Sequence, residues 1–148
     1  MKKKNNNWTK LHLIALALGL IFSNTLSAQQ QDKPFKGHFY DKKENVHLYL
    51  DLYQATLQVP SLEFLGRTHG YMQGNIYGIW LLTQYKIKDD TATLRLSHDS
   101  GADSQSVVLQ KVNDSTLIYN TVNGNAVRRV HKRKLVKAPF EFTFTRVK

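Results

Sequence analysis

The chain alternates between apolar and polar positions. In "NVHLYLDLYQ", Val46, Leu48, Leu50 and Leu52 fall on one face, and His47, Tyr49, Asp51 and Tyr53 fall on the other. A period of two marks a half-buried strand, because successive side chains point to opposite sides of a sheet. The pattern returns in "GIWLLTQYKIK", where Ile79, Leu81, Thr83, Tyr85 and Ile87 share one face. Trp80, Leu82, Gln84, Lys86 and Lys88 share the other. "TATLRLSH" groups Ala92, Leu94 and Leu96, and the closing "FEFTFTRV" groups Phe140, Phe142, Phe144 and Arg146.

Turn residues punctuate these runs. Asp89-Asp90 and Asn113-Asp114 predict tight turns, and Asp99 to Asp103 predicts a loop. "NGN", Asn123 to Asn125, is the strongest hairpin signal, since Asn-Gly accepts the positive φ angles of a type I′ turn. The expected fold is all-β: an antiparallel up-and-down barrel of about eight to ten short strands, with a β-sandwich as the alternative.

The first residues predict an address. Lys2, Lys3, Lys4 and Lys10 precede the apolar run "LHLIALALGLIF", and "SNTLSA" then ends in small residues. This is the anatomy of a cleavable secretory signal over 1–28. The apolar run is shorter than the roughly 20 residues that span a bilayer, which leaves an uncleaved anchor as the weaker reading. A disordered lead-in over 29–34 and one barrel domain over 35–148 complete the expected organisation. Periplasmic or extracellular localisation follows.

Composition narrows the chemistry. The chain has no cysteine. Lipidation at an N-terminal cysteine, disulfide bonding, thiolate catalysis and cysteine metal sites are therefore excluded. Four of the 21 Lys and Arg lie in the leader, leaving 17 against 11 acidic side chains, a net charge of about +6.

Near the start of the first strand stands Gly37-His38-Phe39, and on the last strand stands Arg146. These resemble features of the lipocalin/avidin-like (calycin) barrels, with Phe39 in place of that group's tryptophan. The resemblance implies that Arg146 lies across Phe39 and closes one barrel end, a guanidinium over an aromatic face. The stretches "GYMQGNIYGIW", "LRLSHDSGADSQSV" and "RKLVKAP" resemble small exported all-β proteins of Bacteroidota-type bacteria, a likeness that implies no assigned chemistry.

Four stretches could carry function. "GRTHGYMQGNIYGIW" has the wrong glycine spacing for a phosphate loop and leads into a strand rather than a helix. Its glycines are expected in turns and bulges. Its aromatics Tyr71, Tyr77 and Trp80 are the candidate ligand-binding rim of a barrel mouth. "RRVHKRKLVK" contributes Arg128, Arg129, Lys132, Arg133 and Lys134 as a candidate anion or partner surface, set against a simple charged edge strand. "HDSGAD" offers His98, Asp99 and Asp103 without the regular oxygen spacing of a calcium loop, and Ser104 has no Gly-x-Ser-x-Gly elbow. His38, His47, His69 and His131 are scattered, with no metal-binding motif. No catalytic residue, metal or cofactor is expected.

The expected function is a non-enzymatic exported barrel that binds a small apolar or amphipathic molecule. The alternative is an envelope accessory domain that docks on a protein or an anionic membrane surface through the basic strand. A small hydrolase or metal enzyme is the third. Nucleic acid is not an expected partner.

Overall fold

The computed structural model describes residues 32–148, so the expected leader and the first residues of the lead-in lie outside the described region. Lys33–Lys148 form one compact unit. The last residues of the expected lead-in belong to it: the Lys36 amide donates to the Lys33 carbonyl, and Lys33 Nζ lies 5.7 Å from the Tyr53 ring centre.

The strands in chain order are β1 (Lys36–Asp41), β2 (Val46–Asp51), β3 (Leu57–Gln58), β4 (Arg67–Thr68), β5 (Gly70–Gly74) and β6 (Trp80–Lys88). They continue with β7 (Thr91–His98), β8 (Ser104–Asn113), β9 (Thr116–Gly124), β10 (Arg128–His131), β11 (Lys134–Lys137) and β12 (Glu141–Arg146). Eight of them close into a barrel in the order β1–β12–β9–β8–β7–β6–β5–β2. Every pairing around the barrel is antiparallel. Barrel neighbours are chain neighbours, so the meander is up-and-down, interrupted by two inserted two-stranded hairpins, β3–β4 and β10–β11. Closure leaves no open sheet edge in the barrel.

Alternation fills the inside. Val46, Leu48 and Leu50 of β2, Ala92, Leu94 and Leu96 of β7, and Phe142 and Phe144 of β12 are all buried in one apolar cluster. Tyr119 packs edge-on to Phe142 and Phe144 at 5.4 and 5.9 Å, a favoured aromatic arrangement. Phe140, expected on this face, is instead 56% exposed. It precedes β12, and its carbonyl accepts from Thr121 N as the chain leaves the inserted hairpin.

β6 breaks the expected alternation. Leu82 pairs with Leu96, whereas Tyr85 pairs with Leu94 and Ile87 with Ala92, with a bulge between Leu82 and Gln84. One extra residue shifts the side-chain phase. Trp80 and Leu82 are buried inside before the bulge, and Ile87 packs against the core after it. The two faces assigned from sequence therefore exchange at Thr83.

The Asn-Gly turn is also relocated. Gly124 ends β9 and pairs with Gln105. A Cβ at Gly124 would lie 2.4 Å from the Ser104 carbonyl oxygen, so this glycine permits close backbone approach rather than a tight turn. The basic segment does not form one edge strand. It folds on itself as β10–β11, with Arg128 opposite Lys137 and Val130 opposite Leu135. The tight turn falls at Lys132 and Arg133, with φ of 48° and 63°.

Candidate functional site

One barrel end is closed by Arg146. Its guanidinium carbon stands 4.6 Å from the centre of the buried Phe39 ring. Its side-chain nitrogens donate to the carbonyls of Asp114 and Pro34, at 3.3 and 3.0 Å, and to that of Lys36. One arginine thus ties the β8–β9 turn and the chain entering β1 to the end of β12. Gly37 makes room: its φ is 142°, and a Cβ there would collide with Arg146 Nη1 at 2.4 Å. That is a physical reason for glycine two residues before the aromatic.

The proposed aromatic rim is not one rim. Tyr71 and Trp80 fall on opposite sides of the sheet, since Met72 pairs with Trp80 and Tyr71 with Leu81. Trp80 lies inside the core, while Tyr71 stacks on Tyr49 at 4.7 Å outside the barrel. Tyr77 sits in the β5–β6 loop, 52% exposed and stacked on His98. Apolar side chains and one polar chain line the interior. Within it Gln105 Nε2 donates to the Tyr119 hydroxyl at 2.6 Å, and Thr121 Oγ1 donates to Gln105 Oε1 at 3.0 Å. Burial pushes the Tyr119 phenol far up from its ordinary value, against the opposing effect of Gln105. Trp80 Nε1 is buried and has no hydrogen-bond partner among the described residues.

His98 locks a loop. Its Nε2 meets the Tyr77 carbonyl at 3.2 Å, while its Nδ1 meets Ser100 Oγ at 2.7 Å and Asp99 Oδ1 at 3.0 Å. A serine triad needs the hydroxyl and the carboxylate on opposite ring nitrogens. Here both crowd Nδ1. Ser104 Oγ accepts from Arg95 instead, at 3.1 Å. Among the described residues no three His, Cys, Asp or Glu side chains converge as metal ligands.

The outer face of β1 and β2 carries a stack the sequence left scattered. His38 stacks on Tyr49 at 4.3 Å and His47 on Tyr40 at 4.5 Å. His38 Nε2 lies 2.9 Å from His47 Nδ1. Burial first, and His47 second, hold the His38 imidazole below its ordinary pKa. Asp51, at the end of this face, is buried and structural. Its carboxylate accepts from the amides of Tyr53 and Gln54 and from Thr56 Oγ1, and it pairs with Lys36 at 3.0 Å.

The basic hairpin caps the barrel end opposite Arg146, because β12 runs from one to the other. Its legs are anchored. Val127 and Ala138 are buried, and the Ala138 amide donates to the Val127 carbonyl. The Tyr77 amide donates to the Arg128 carbonyl at 2.6 Å. Arg129 Nη1 pairs with Glu44 Oε2 at 2.5 Å, which fastens the hairpin to the β1–β2 turn. That turn carries exposed Lys42 and Lys43. The register puts Val130 and Leu135 on one face with Arg128 and Lys137. Val130 and Leu135 are 59% and 49% exposed. Arg128, Lys132, Arg133, Lys134 and Lys137 are exposed and engage no acidic side chain among the described residues.

These parts define a closed eight-stranded antiparallel barrel, compatible with a calycin-like fold, with a cationic hairpin at one end. No protein-family model, curated protein or solved structure matches the chain.

Proposed function

We propose that the protein is an exported barrel module that docks on anionic lipid surfaces through the β10–β11 hairpin. The observation that carries this reading is the exposed Val130–Leu135 pair flanked by cations that no acidic side chain neutralises. A membrane interface offers both complements at once: headgroup charge for the cations and the acyl boundary for the apolar pair. Each cation near such a surface contributes about 1 kcal/mol. Arg129 is the exception, since Glu44 occupies it and it serves to hold the hairpin in place. The leader-like first segment supports the reading, since export would bring the protein to envelope lipid. The likeness to lipocalin/avidin-like barrels rests on Gly37, Phe39 and Arg146 and concerns architecture.

The test is co-sedimentation with vesicles of phosphatidylcholine, with and without a third phosphatidylglycerol. Binding is expected only to the anionic vesicles, weakening steeply with salt. Equal association with both vesicle types, or with neither, removes the reading.

A second reading is binding of a small apolar or amphipathic molecule inside the barrel. Buried Trp80 Nε1, a donor without an acceptor among the described residues, favours it, because such groups are rarely left unpaired. Native mass spectrometry of protein purified from its own source tests this. A co-purifying small molecule supports it, and a bare polypeptide mass speaks against it.

A further inference from the structure

The outer face of β1 and β2 brings together two imidazoles that lie nine residues apart in the chain, in direct nitrogen-to-nitrogen contact. We propose that His38 and His47 form a chelating site for a tetragonal divalent transition-metal ion, with Cu2+ as the best-fitting case.

The separation of the two nitrogens sets the coordination angle they can offer. Metal–imidazole bonds are about 2.0–2.1 Å. Two such nitrogens at right angles on one ion stand about 2.9 Å apart, and at a tetrahedral angle about 3.3 Å. His38 Nε2 and His47 Nδ1 are 2.9 Å apart. The bite therefore matches cis positions of a square or tetragonal ion, the geometry that Cu2+ and Ni2+ favour. In the metal-free protein one proton bridges the two nitrogens. The ion takes the place of that proton, with each ring turning so that its lone pair converges above the line between them. The ring that carried this proton takes up its tautomer with the proton on the other ring nitrogen, so both imidazoles bind as neutral ligands.

The surroundings suit this exchange. Tyr49 stacks on His38 at 4.3 Å and Tyr40 on His47 at 4.5 Å, so the two rings are held side by side from both flanks. The Tyr40 hydroxyl is itself held by Asn45 Oδ1 at 3.0 Å. Ring positions fixed in advance lower the entropy lost on chelation. Both histidines are partly exposed, leaving the remaining coordination positions to water.

Copper outranks zinc at almost any nitrogen site, so preference between ions decides nothing. Residue dependence does. The metal-stripped full chain is titrated with Cu2+ and followed by electron paramagnetic resonance. The expected result is one ion per chain, with an axial spectrum split by imidazole nitrogen. His38→Gln and His47→Gln each weaken binding at least tenfold, and the pair abolishes that spectrum. His69→Gln and His131→Gln leave it unchanged. A Cu2+ spectrum that survives in the double variant overturns the proposal. Should either variant misfold by circular dichroism, ring proton signals of the natural chain decide. Selective broadening of His38 and His47 at substoichiometric Cu2+ supports the site. Broadening confined to other histidines overturns it.

Discussion

The two ends of the barrel use the same kind of side chain in opposite ways. At one end Arg146 is fully engaged: three carbonyls accept from it and Phe39 lies beneath it. At the other, Lys132, Arg133 and Lys134 stand exposed around a turn and engage no acidic side chain among the described residues. Arginine satisfied by backbone carbonyls closes a fold. Cations left to water, beside exposed Val130 and Leu135, are free for a partner. Between the extremes sits Arg129, whose pairing with Glu44 at 2.5 Å positions the free charges without being one of them. Charge density in the sequence does not separate these roles; the acceptor inventory around each side chain does.

The contrast can be broken first at the closed end. Phe39 is fully buried, so Phe39→Ala is expected to cost about 3–5 kcal/mol, read by urea denaturation. Arg146→Ala removes carbonyl partners and the aromatic contact and is expected to cost about 2–3 kcal/mol. Neither change should alter binding to anionic vesicles. At the hairpin the opposite holds. Lys132, Arg133 and Lys134 all changed to Gln should lower vesicle affinity about a hundredfold, at about 1 kcal/mol per charge. Stability should stay within about 0.5 kcal/mol, as for exposed positions. If both properties fell together in either set, the division between closure and docking would be wrong.

A subtler variant sharpens the comparison. Arg133 holds a φ of 63°, a conformation that costs a side-chain-bearing residue about 1–2 kcal/mol. Arg133→Gly should stabilise the protein by about 1 kcal/mol while weakening vesicle binding several-fold. Thermal denaturation beside the sedimentation assay checks both signs.

The smallest expected effects are in pH. Asp51 is raised by burial, but Thr56, Lys36, Gln54 and Tyr53 together hold its carboxyl below the ordinary value. The unfolded chain therefore takes up this proton first. The contribution is complete above about pH 4 and is lost as pH falls through the folded-state value. Asp51→Asn should flatten that acid limb of the stability curve. His38 acts in the same direction nearer neutrality, because its folded value is also depressed. Its contribution fades as pH falls below about 6.5. A His38→Gln variant should lose that slope in denaturation curves between about pH 5 and 7.

Much of the barrel was legible in the chain. Alternation in β2, β7 and β12 predicts both the strands and the faces that the structure buries. Gly37, Phe39 and Arg146 could be singled out only through their resemblance to the lipocalin/avidin-like barrels, which implied the contact of Arg146 with Phe39. The inserted hairpin reads in the sequence as one strand. Its turn residues, Lys132 and Arg133, carry none of the usual turn chemistry, whereas Asn123-Gly124 carries all of it and serves elsewhere. The exchange of faces in β6 was equally hidden, since a one-residue bulge leaves no local signature. The His38–His47 pair had a faint signal: both lie on outward positions of strands joined by a short turn.

The sequence by itself determined the all-β class, the inward faces of β2, β7 and β12 and the location of the positive charge. These follow from side-chain period and composition, which are local properties. Tertiary structure decided which barrel end each charge occupies, which cations find acceptors and which histidines meet. Those depend on register and closure, and register is settled by contacts between strands far apart in the chain.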